Sequence, residues 1–295
     1  MGIQKTAMSP KQLKWFFLIL LALIWGSSFI LIKKGLVGLN PYQLGSLRMI
    51  FAAIFVLIIG FKTLPKIPVY KWRYLFLTAM LGMFFPAYLF AIAETQIGSS
   101  VTGILNALTP FNALLLGVFA FGLQVKRNQI FGVIVGLVGS LLLVFTGEDT
   151  GTTSNYFYVF LVYIATLCYG TNVNIVKKYL PEFNSLTIAA GNALVTLVPA
   201  LGILYFTGFF GVVHLPKVQH SMLFIMVLGI FGTGIANLLF YKLIQISSPV
   251  FATSVTYLIP IVAFFWGLLD NEMLSPLQFL GACVILFGVY LSGKK

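Results

Sequence analysis

Charged residues are scarce in this chain, and acidic ones are the scarcest. Asp, Glu, Lys and Arg make up 8% of the 295 residues, with 6 Asp and Glu against 18 Lys and Arg. A soluble protein of this length would carry roughly 25% charged residues. So few charges, in a chain that is 60% hydrophobic, exclude an ordinary soluble protein and indicate one with many membrane spans.

The sequence also lacks the residue clusters on which most enzyme and metal chemistry depends. Its 2 cysteines, Cys168 and Cys283, both fall in apolar runs and have no metal-ligand spacing, so we interpret them as small core residues. The 2 histidines, His214 and His220, lie in one connection, and no phosphate-binding glycine loop is present. An intramembrane enzyme would need paired acids, a histidine cluster or an embedded nucleophile with a base. We therefore expect no enzyme, no cofactor, no metal and no direct use of ATP.

Long apolar runs fill most of the sequence. A helix that spans a bilayer needs about 20 mainly apolar residues. By that rule we predict an all-α integral membrane protein with ten transmembrane helices, near residues 14–34, 42–61, 73–94, 99–122, 129–146, 156–178, 185–207, 220–243, 249–269 and 276–292.

The cations are distributed unevenly between the two ends of these spans. If the N-terminus is cytoplasmic, Lys33, Lys34 and Lys217 lie outside, Arg48 lies within a span, and all other Lys and Arg residues are cytoplasmic. Cytoplasmic loops are enriched in Lys and Arg. We therefore predict a multi-pass protein of the cytoplasmic (inner) membrane with both termini in the cytoplasm. The same distribution explains the net charge of +12 without a nucleic-acid partner, because the basic residues occupy separate short loops. The expected partners are the lipid bilayer and a small-molecule substrate, and a homodimer is left open.

A stretch of the first span returns in the sixth. Residues 25–36 recur as residues 169–180, and the fourth and ninth spans share a second pattern. The matched positions include Gly26/Gly170, Lys33/Lys177, Lys34/Lys178, Leu36/Leu180 and Pro110/Pro260. The chain is therefore predicted to be a duplication with a first repeat at residues 14–147 and a second at residues 156–292.

The predicted repeats have opposite orientations in the membrane. Each contains five spans, an odd number, so the second repeat enters from the side opposite to the first. Such an inverted 5+5 repeat is frequent among secondary transporters, whose central cavity opens first to one side and then to the other.

These residues together resemble a known family. The chain is similar to the drug/metabolite transporter superfamily in its ten-helix EamA type, over nearly all of its length. The first repeat lacks the acidic residue that often follows the fourth helix, because Gly122 or Leu123 stands there, so any role for that acid rests on Glu272. The resemblance implies small-molecule transport, usually export, through a cavity between the halves. It is carried by Trp25, Gly26, Ser27, Ser28, Phe29, Lys33, Arg48, Pro110, Pro260, Glu272, Met273, Leu274, Ser275, Pro276, Gln278, Gly281 and Gly288.

Polar and aromatic side chains within the spans are the candidate substrate-binding residues. Any one of them could instead satisfy another helix, because a buried amide or hydroxyl needs a partner. As a group they predict a polar cavity with aromatic walls, suited to amino-acid-like or small aromatic metabolites. They are Trp25, Ser28, Arg48, Tyr88, Asn106, Tyr169, Asn172, Asn237, Tyr241 and Tyr257.

Arg48 is the costliest of these residues, because a charge within a span must be paired or hydrated. It could form a structural ion pair with Glu94 or Glu272, or it could hold a substrate carboxylate or phosphate together with Lys33. Lys33, Glu94 and Glu272 are accordingly candidates for a charge pair or for ion coupling.

Pro110 and Pro260 are the candidate gating residues. Proline inside a helix frees the carbonyl four residues earlier, which a substrate can use, although a plain packing kink is the alternative.

The predicted function is a secondary transporter that moves small polar or aromatic metabolites across the cytoplasmic membrane, as an exporter, by alternating access. The alternative is a lipid flippase or a passive channel. No carboxylate lies near the middle of a span, which favours facilitated diffusion or exchange, or coupling through peripheral Glu94 or Glu272.

Overall fold

The computed structural model describes residues 9–97, 99–145, 156–269 and 276–294, and these ranges are helical with no strand. Two 3₁₀ helices (Phe61–Lys66 and Val69–Lys71) and two π-helical segments (Met80–Phe84 and Leu228–Ile235) interrupt the α-helices. The α-helices are α1 (Pro10–Gly26), α2 (Ser28–Gly35), α3 (Pro41–Gly60), α4 (Trp72–Ala79), α5 (Phe85–Ala93), α6 (Ser99–Asn106), α7 (Thr109–Phe119), α8 (Arg127–Phe145), α9 (Tyr156–Tyr179), α10 (Ser185–Phe206), α11 (Phe209–Val212), α12 (Pro216–Val227), α13 (Ala236–Ile246), α14 (Pro249–Thr253), α15 (Val255–Leu269) and α16 (Pro276–Gly293).

Within the described residues, six helical stretches are long and apolar enough to cross a membrane, so the chain is a multi-pass membrane protein. The remaining predicted spans coincide with α6–α7, α8, α14–α15 and α16, and the number ten stays a prediction. The linker at residues 147–155 lies outside the described part of the chain. The six long stretches are Lys11–Gly35, Pro41–Lys66, Val69–Ala93, Tyr156–Tyr179, Ser185–Phe206 and Pro216–Ile246.

Several helices begin at side chains that cap their free backbone N–H groups. Asn40 Oδ1 accepts from Gln43 N at 2.9 Å, and the Gln43 side chain accepts in return from Asn40 N at 3.2 Å. Asn184 Oδ1 caps α10 by accepting from Thr187 N at 2.8 Å. An Asn or Ser cap stabilises a helix start by about 1 kcal/mol. These caps fix the starts of α3 and α10, which pack against each other.

Small residues bring pairs of helices into close contact. α8 packs along α16, and a Cβ on Gly132 would lie 2.5 Å from the Ser292 nitrogen. α1 packs on α15, where a Cβ on Gly26 would lie 2.6 Å from Val262 Cβ. α9 packs on α7, where a Cβ on Gly170 would lie 2.9 Å from the Ala113 nitrogen. Close backbone approach at glycines is a common way for helices to associate in a membrane, where lipid offers no hydrophobic contrast.

The cysteines differ in their surroundings. Cys168 is buried, as predicted, but Cys283 lies exposed on α16. Hydropathy alone could not separate them, because a lipid-facing side and a core-facing side of a helix are equally apolar.

One ion pair lies where α9 and α10 are joined. Lys71 Nζ donates to the Tyr179 carbonyl at 2.7 Å and pairs with Glu182. Partial burial acts to raise the pKa of Glu182, but its hydrogen bonds to Lys71 and to its own backbone N–H, with the Lys71 charge, outweigh this and lower that pKa. Lys71 thus ties the start of the third span to the end of α9.

Candidate functional site

A central cavity lies among the helices. Its empty space is about 840 Å³, which includes the space at its open mouth. Both halves of the sequence contribute residues to its lining. The first half contributes residues of α1–α3, the segment Met80–Phe84 and α5–α7, and the second contributes residues of α9, the segment Leu228–Ile235, α13, α14 and α15.

The interruptions of the helices meet at this cavity. Irregular backbone within a membrane is tolerated where protein buries it or where it borders a wet cavity. The contributions to the lining are Trp25 and Ser28 beside the α1–α2 break, Gly82 and Met83 in the first π segment, Asn106 and Thr109 at the α6–α7 break, Gly232 and Thr233 in the second π segment, and Thr253, Val255 and Thr256 at the α14–α15 break.

Arg48 supplies the positive charge of the cavity. Its Nε donates to Thr233 Oγ1 at 2.7 Å, which orients the guanidinium. Its charge also interacts with Glu94 and with Tyr169. Within the described part of the chain, no carboxylate forms an ion pair with Arg48 and no acceptor takes its terminal N–H groups. These groups are therefore available to an anionic ligand.

The buried asparagines add hydrogen-bonding capacity. Asn172 is 2% exposed, and its Oδ1 has no hydrogen-bond partner in the described part of the chain. A Cβ on Gly82 would lie 2.5 Å from Asn172 Nδ2, so the absence of a side chain at Gly82 makes room for this amide. Asn106 Oδ1 accepts from Thr109 Oγ1 at 3.0 Å, while Asn237 lines the same cavity from α13.

Aromatic rings form the apolar walls. Trp25 Nε1 donates to the Gly232 carbonyl at 2.9 Å, and its ring packs edge-on against Phe240 with centroids 5.1 Å apart. Tyr169 stacks on Phe90 at 6.0 Å. These contacts hold the two rings in place at the cavity wall.

Most of the predicted substrate-binding residues come together here. The structure places three predicted tyrosines outside the lining, each in a hydrogen bond between helices. Tyr88 bonds Ser46 at 2.9 Å, Tyr241 accepts from Asn192 at 2.7 Å, and Tyr257 donates to the Val133 carbonyl at 2.9 Å. The residues that line the cavity are Trp25, Ser28, Arg48, Asn106, Tyr169, Asn172 and Asn237.

The other predicted residues occupy different surroundings. Lys33 is exposed on α2 and Glu94 follows the last turn of α5, and neither lines the cavity. Glu272 lies outside the described residues. Pro260 is inside α15, whereas Pro110 is in the first turn of α7, so the two matched prolines act on their helices differently.

Sequence reasoning missed several lining residues, most notably Thr233, the partner of Arg48. Its signal was the glycine-rich stretch at residues 229–234, where Gly229, Gly232 and Gly234 surround it. Phe29, Phe90 and Phe240 carry no such signal, because Phe is common throughout this chain.

Apolar helices around a central cavity that combines a few polar side chains with aromatic walls are typical of multi-pass membrane transport proteins. The sequence pattern of the EamA-like transporter family matches residues 13–145 and again residues 156–293. The chain belongs to the EamA-like transporter family, in agreement with the predicted resemblance, and it is a transporter rather than an enzyme.

Several curated relatives cover nearly the whole chain. A probable amino-acid metabolite efflux pump of Escherichia coli is 25% identical over 93% of this chain and 92% of its own length. The uncharacterized inner membrane transporter YedA of the same species is 26% identical over 92% of this chain and 87% of its own length. An uncharacterized transporter of Archaeoglobus fulgidus is 24% identical over 96% of this chain and 99% of its own.

The fold is also similar to a solved crystal structure. The TM-score is 0.74 with 14% sequence identity, over 95% of this chain and 96% of that one. At this identity the likeness supports the fold alone.

Proposed function

We propose that this protein is a secondary exporter of small amino-acid-like solutes that carry a carboxylate and an apolar or aromatic body. In this proposal ten transmembrane helices form an inverted 5+5 repeat, residues 14–147 and 156–292, in the cytoplasmic membrane with both termini in the cytoplasm. The central cavity opens to each side in turn.

The observation that carries the proposal is the Arg48 guanidinium at the cavity wall. Its Nε is held by Thr233 at 2.7 Å, while its terminal N–H groups have no acceptor in the described part of the chain. A guanidinium suits a carboxylate because two parallel N–H groups can bond both oxygens.

The rest of the lining complements the remaining parts of such a solute. Asn172 Oδ1 can accept from an ammonium or hydroxyl group, and Trp25 and Tyr169 offer aromatic faces to an apolar side chain. The name of the E. coli efflux pump supports the same class of solute and the outward direction.

The energy source follows from the charges at the site. No carboxylate is among the described lining residues, whereas proton-coupled transporters commonly use one. We propose facilitated diffusion or exchange, with Glu94 and Glu272 as the alternative coupling residues. An absolute need for a proton gradient, unchanged by substitution of Glu94 or Glu272, would contradict this account.

The test compares the growth medium of cells that express the intact chain with that of cells expressing Arg48→Ala at equal membrane abundance. We expect a few amino acids or related metabolites to accumulate only with the intact chain. An unchanged medium would count against export and favour the alternatives, a lipid flippase or a passive channel. Those are tested by lipid scrambling and solute leak in liposomes that contain the purified protein.

A further inference from the structure

A second cavity lies near the end of α9 that carries Lys177. It holds about 550 Å³ of empty space, counted to its opening, and shares no lining residue with the central cavity. Its walls come from α7, the turn that follows α7, the start of α8, the second half of α9, and residues 247–250.

The second cavity contains a buried acceptor, Asn174 Oδ1. Asn174 is 0% exposed, and its Nδ2 donates to the carbonyls of Ala113 and Gly170, both at 2.9 Å. Because both neighbours are carbonyl oxygens, the nitrogen must face them, and this fixes the position of Oδ1. No residue in the described part of the chain donates to that oxygen. Buried polar atoms are nearly always hydrogen-bonded, so this oxygen has an unused capacity to accept a hydrogen bond.

Gly117 lies beside this oxygen. A Cβ at Gly117 would lie 3.1 Å from Asn174 Oδ1, and Gly117 is itself part of the cavity wall. A methyl group there would therefore crowd the acceptor, and the Asn174 amide would have to move by a few tenths of an ångström.

The same cavity also offers a donor and a positive charge. Ser248 Oγ accepts from Gln129 Nε2 at 2.6 Å and from Phe251 N at 3.1 Å, so its own hydrogen remains to be donated. Lys177 Nζ donates to three carbonyls, those of Ile244, Gln245 and Ser247, and no carboxylate of the described ranges pairs with it. Its charge therefore stays uncompensated by an acid at the wall.

The two cavities are neighbours along three helices. On α14, Thr253 lines the central cavity and Val250 lines the second. On α7 the corresponding residues are Thr109 and Ala113, which are four residues, about 6 Å along the helix axis, apart. On α9, Asn172 lines the central cavity and Asn174 the second.

We infer that the second cavity is a second binding site for a small zwitterionic solute on the route to or from the central cavity. Asn174 Oδ1 accepts from the ammonium or hydroxyl of the solute, Ser248 donates to its carboxylate, and the Lys177 charge attracts that carboxylate. The inference rests on the proposed function for the class of solute, and it adds a site with its own residues.

The experiment uses the full chain in lipid nanodiscs with L-phenylalanine as the probe. The variant Val250→Cys, with Cys168→Ala and Cys283→Ala, places one thiol in the wall. We expect an anionic methanethiosulfonate to modify this thiol several-fold faster than a cationic one, and L-phenylalanine to slow the reaction. This protection should survive Arg48→Gln, disappear with Gly117→Ala, and remain with Gly202→Ala, a helical glycine that has nothing within 4 Å of its Cβ position.

Equilibrium dialysis with labelled L-phenylalanine separates the failures. We expect about two molecules per chain, and about one after either Gly117→Ala or Arg48→Gln. A different result would overturn the second site and leave the proposed function intact. In that case only one molecule binds per chain, Arg48→Gln abolishes its binding, and L-phenylalanine does not protect the thiol at position 250. No binding to the intact chain would overturn both. A thiol that reacts faster with the cationic reagent, or not at all, would overturn the second site.

Discussion

Arg48 is held in the cavity by one hydrogen bond to an uncharged hydroxyl, that of Thr233. A charge within a membrane protein is costly, and it is retained where it serves a ligand or is paired. A hydrogen bond to a charged group contributes about 1.5–3 kcal/mol. We expect Arg48→Gln to raise the KM for export roughly 10- to 100-fold, measured as uptake into inverted membrane vesicles.

The matched control is Lys33→Gln, because Lys33 is exposed and does not line the cavity. It should leave KM unchanged. If Arg48→Gln instead gave little folded protein and a normal KM in what remained, Arg48 would be a structural residue.

Asn192, which occupies the position matching Arg48 in the predicted second repeat, has different surroundings. Thr78 Oγ1 donates to its Oδ1 at 2.8 Å, and its Nδ2 donates to the Tyr241 hydroxyl at 2.7 Å. All three side chains are fully buried. We expect Tyr241→Phe to lower the unfolding free energy by about 1 kcal/mol, because the Asn192 amide loses its acceptor. Thermal unfolding in detergent measures this, and a raised KM at normal stability would instead bring Tyr241 into transport.

Sequence reasoning grouped the polar residues of the spans as one candidate site, but it could not divide them between cavity lining and helix packing. Asn172 and Asn174 are two positions apart on α9 and line different cavities. Three predicted tyrosines form hydrogen bonds to other helices instead, namely Tyr88, Tyr241 and Tyr257. A long side chain can reach several neighbours, and the rotation of its helix decides which neighbour it contacts. That rotation is set by contacts such as Gly45 against the Tyr88 ring, which no local pattern encodes.

The helix breaks are the elements that give the cavity its shape, and the matched prolines contribute unequally to them. Pro260 lies inside α15, so the Thr256 carbonyl at the cavity cannot accept from residue 260. Pro110 lies in the first turn of α7, where a proline removes no helical hydrogen bond.

We therefore expect Pro260→Ala to slow turnover by roughly tenfold, about 1.4 kcal/mol on the barrier, because α15 gains a hydrogen bond and loses its freedom to bend. Pro110→Ala should be nearly neutral, and Pro199→Ala, in the interior of α10, is the matched control. Initial rates in vesicles at saturating solute measure turnover. Equal effects of Pro110→Ala and Pro260→Ala would show that the pair acts alike, as the sequence repeat alone suggests.

The long spans were predictable because the bilayer requires them. The predicted span near residues 156–178 is found as Tyr156–Tyr179, and the one near 185–207 as Ser185–Phe206. The π segments were not predictable, because their residues are as apolar as those of a regular helix. Met80–Phe84 contains Gly82, whose contact with the Asn172 amide comes from another helix.

In the molecule as a whole, the helices that match between the two halves follow two packing patterns. Some pack directly against their own counterpart, and others pack against helices that are themselves counterparts of each other. α8 packs on α16 and α3 on α10, while α1 packs on α15 and α9 on α7. Gly26 meets Val262, and Gly170 meets the backbone of Asn112 and Ala113, which is the same relation with the halves interchanged. This arrangement supports the proposed inverted repeat, because each half needs the other to complete its packing.

The proposed topology makes a further prediction about which ends of the helices share a side. Lys14 Nζ donates to the Gly293 carbonyl at 2.8 Å, so the first turns of α1 and the end of α16 lie together. Between Lys66 and Lys217 the chain passes through Val69–Ala93, α6–α7, α8, α9 and α10. If each of these crosses the membrane, the number of crossings is odd and the two lysines lie on opposite sides.

Labelling of single cysteines in intact cells measures this directly. In a chain with Cys168→Ala and Cys283→Ala, we expect Lys217→Cys to react with an impermeant maleimide from outside, and Lys66→Cys to react only after the membrane is opened. Both lysines are exposed, so access is limited by the membrane rather than by the fold. Labelling of both from the same side would mean that α6–α7 or α8 does not cross, and would exclude the 5+5 arrangement. Labelling of Lys66→Cys alone from outside would keep the repeat and reverse the orientation that the basic loops predict.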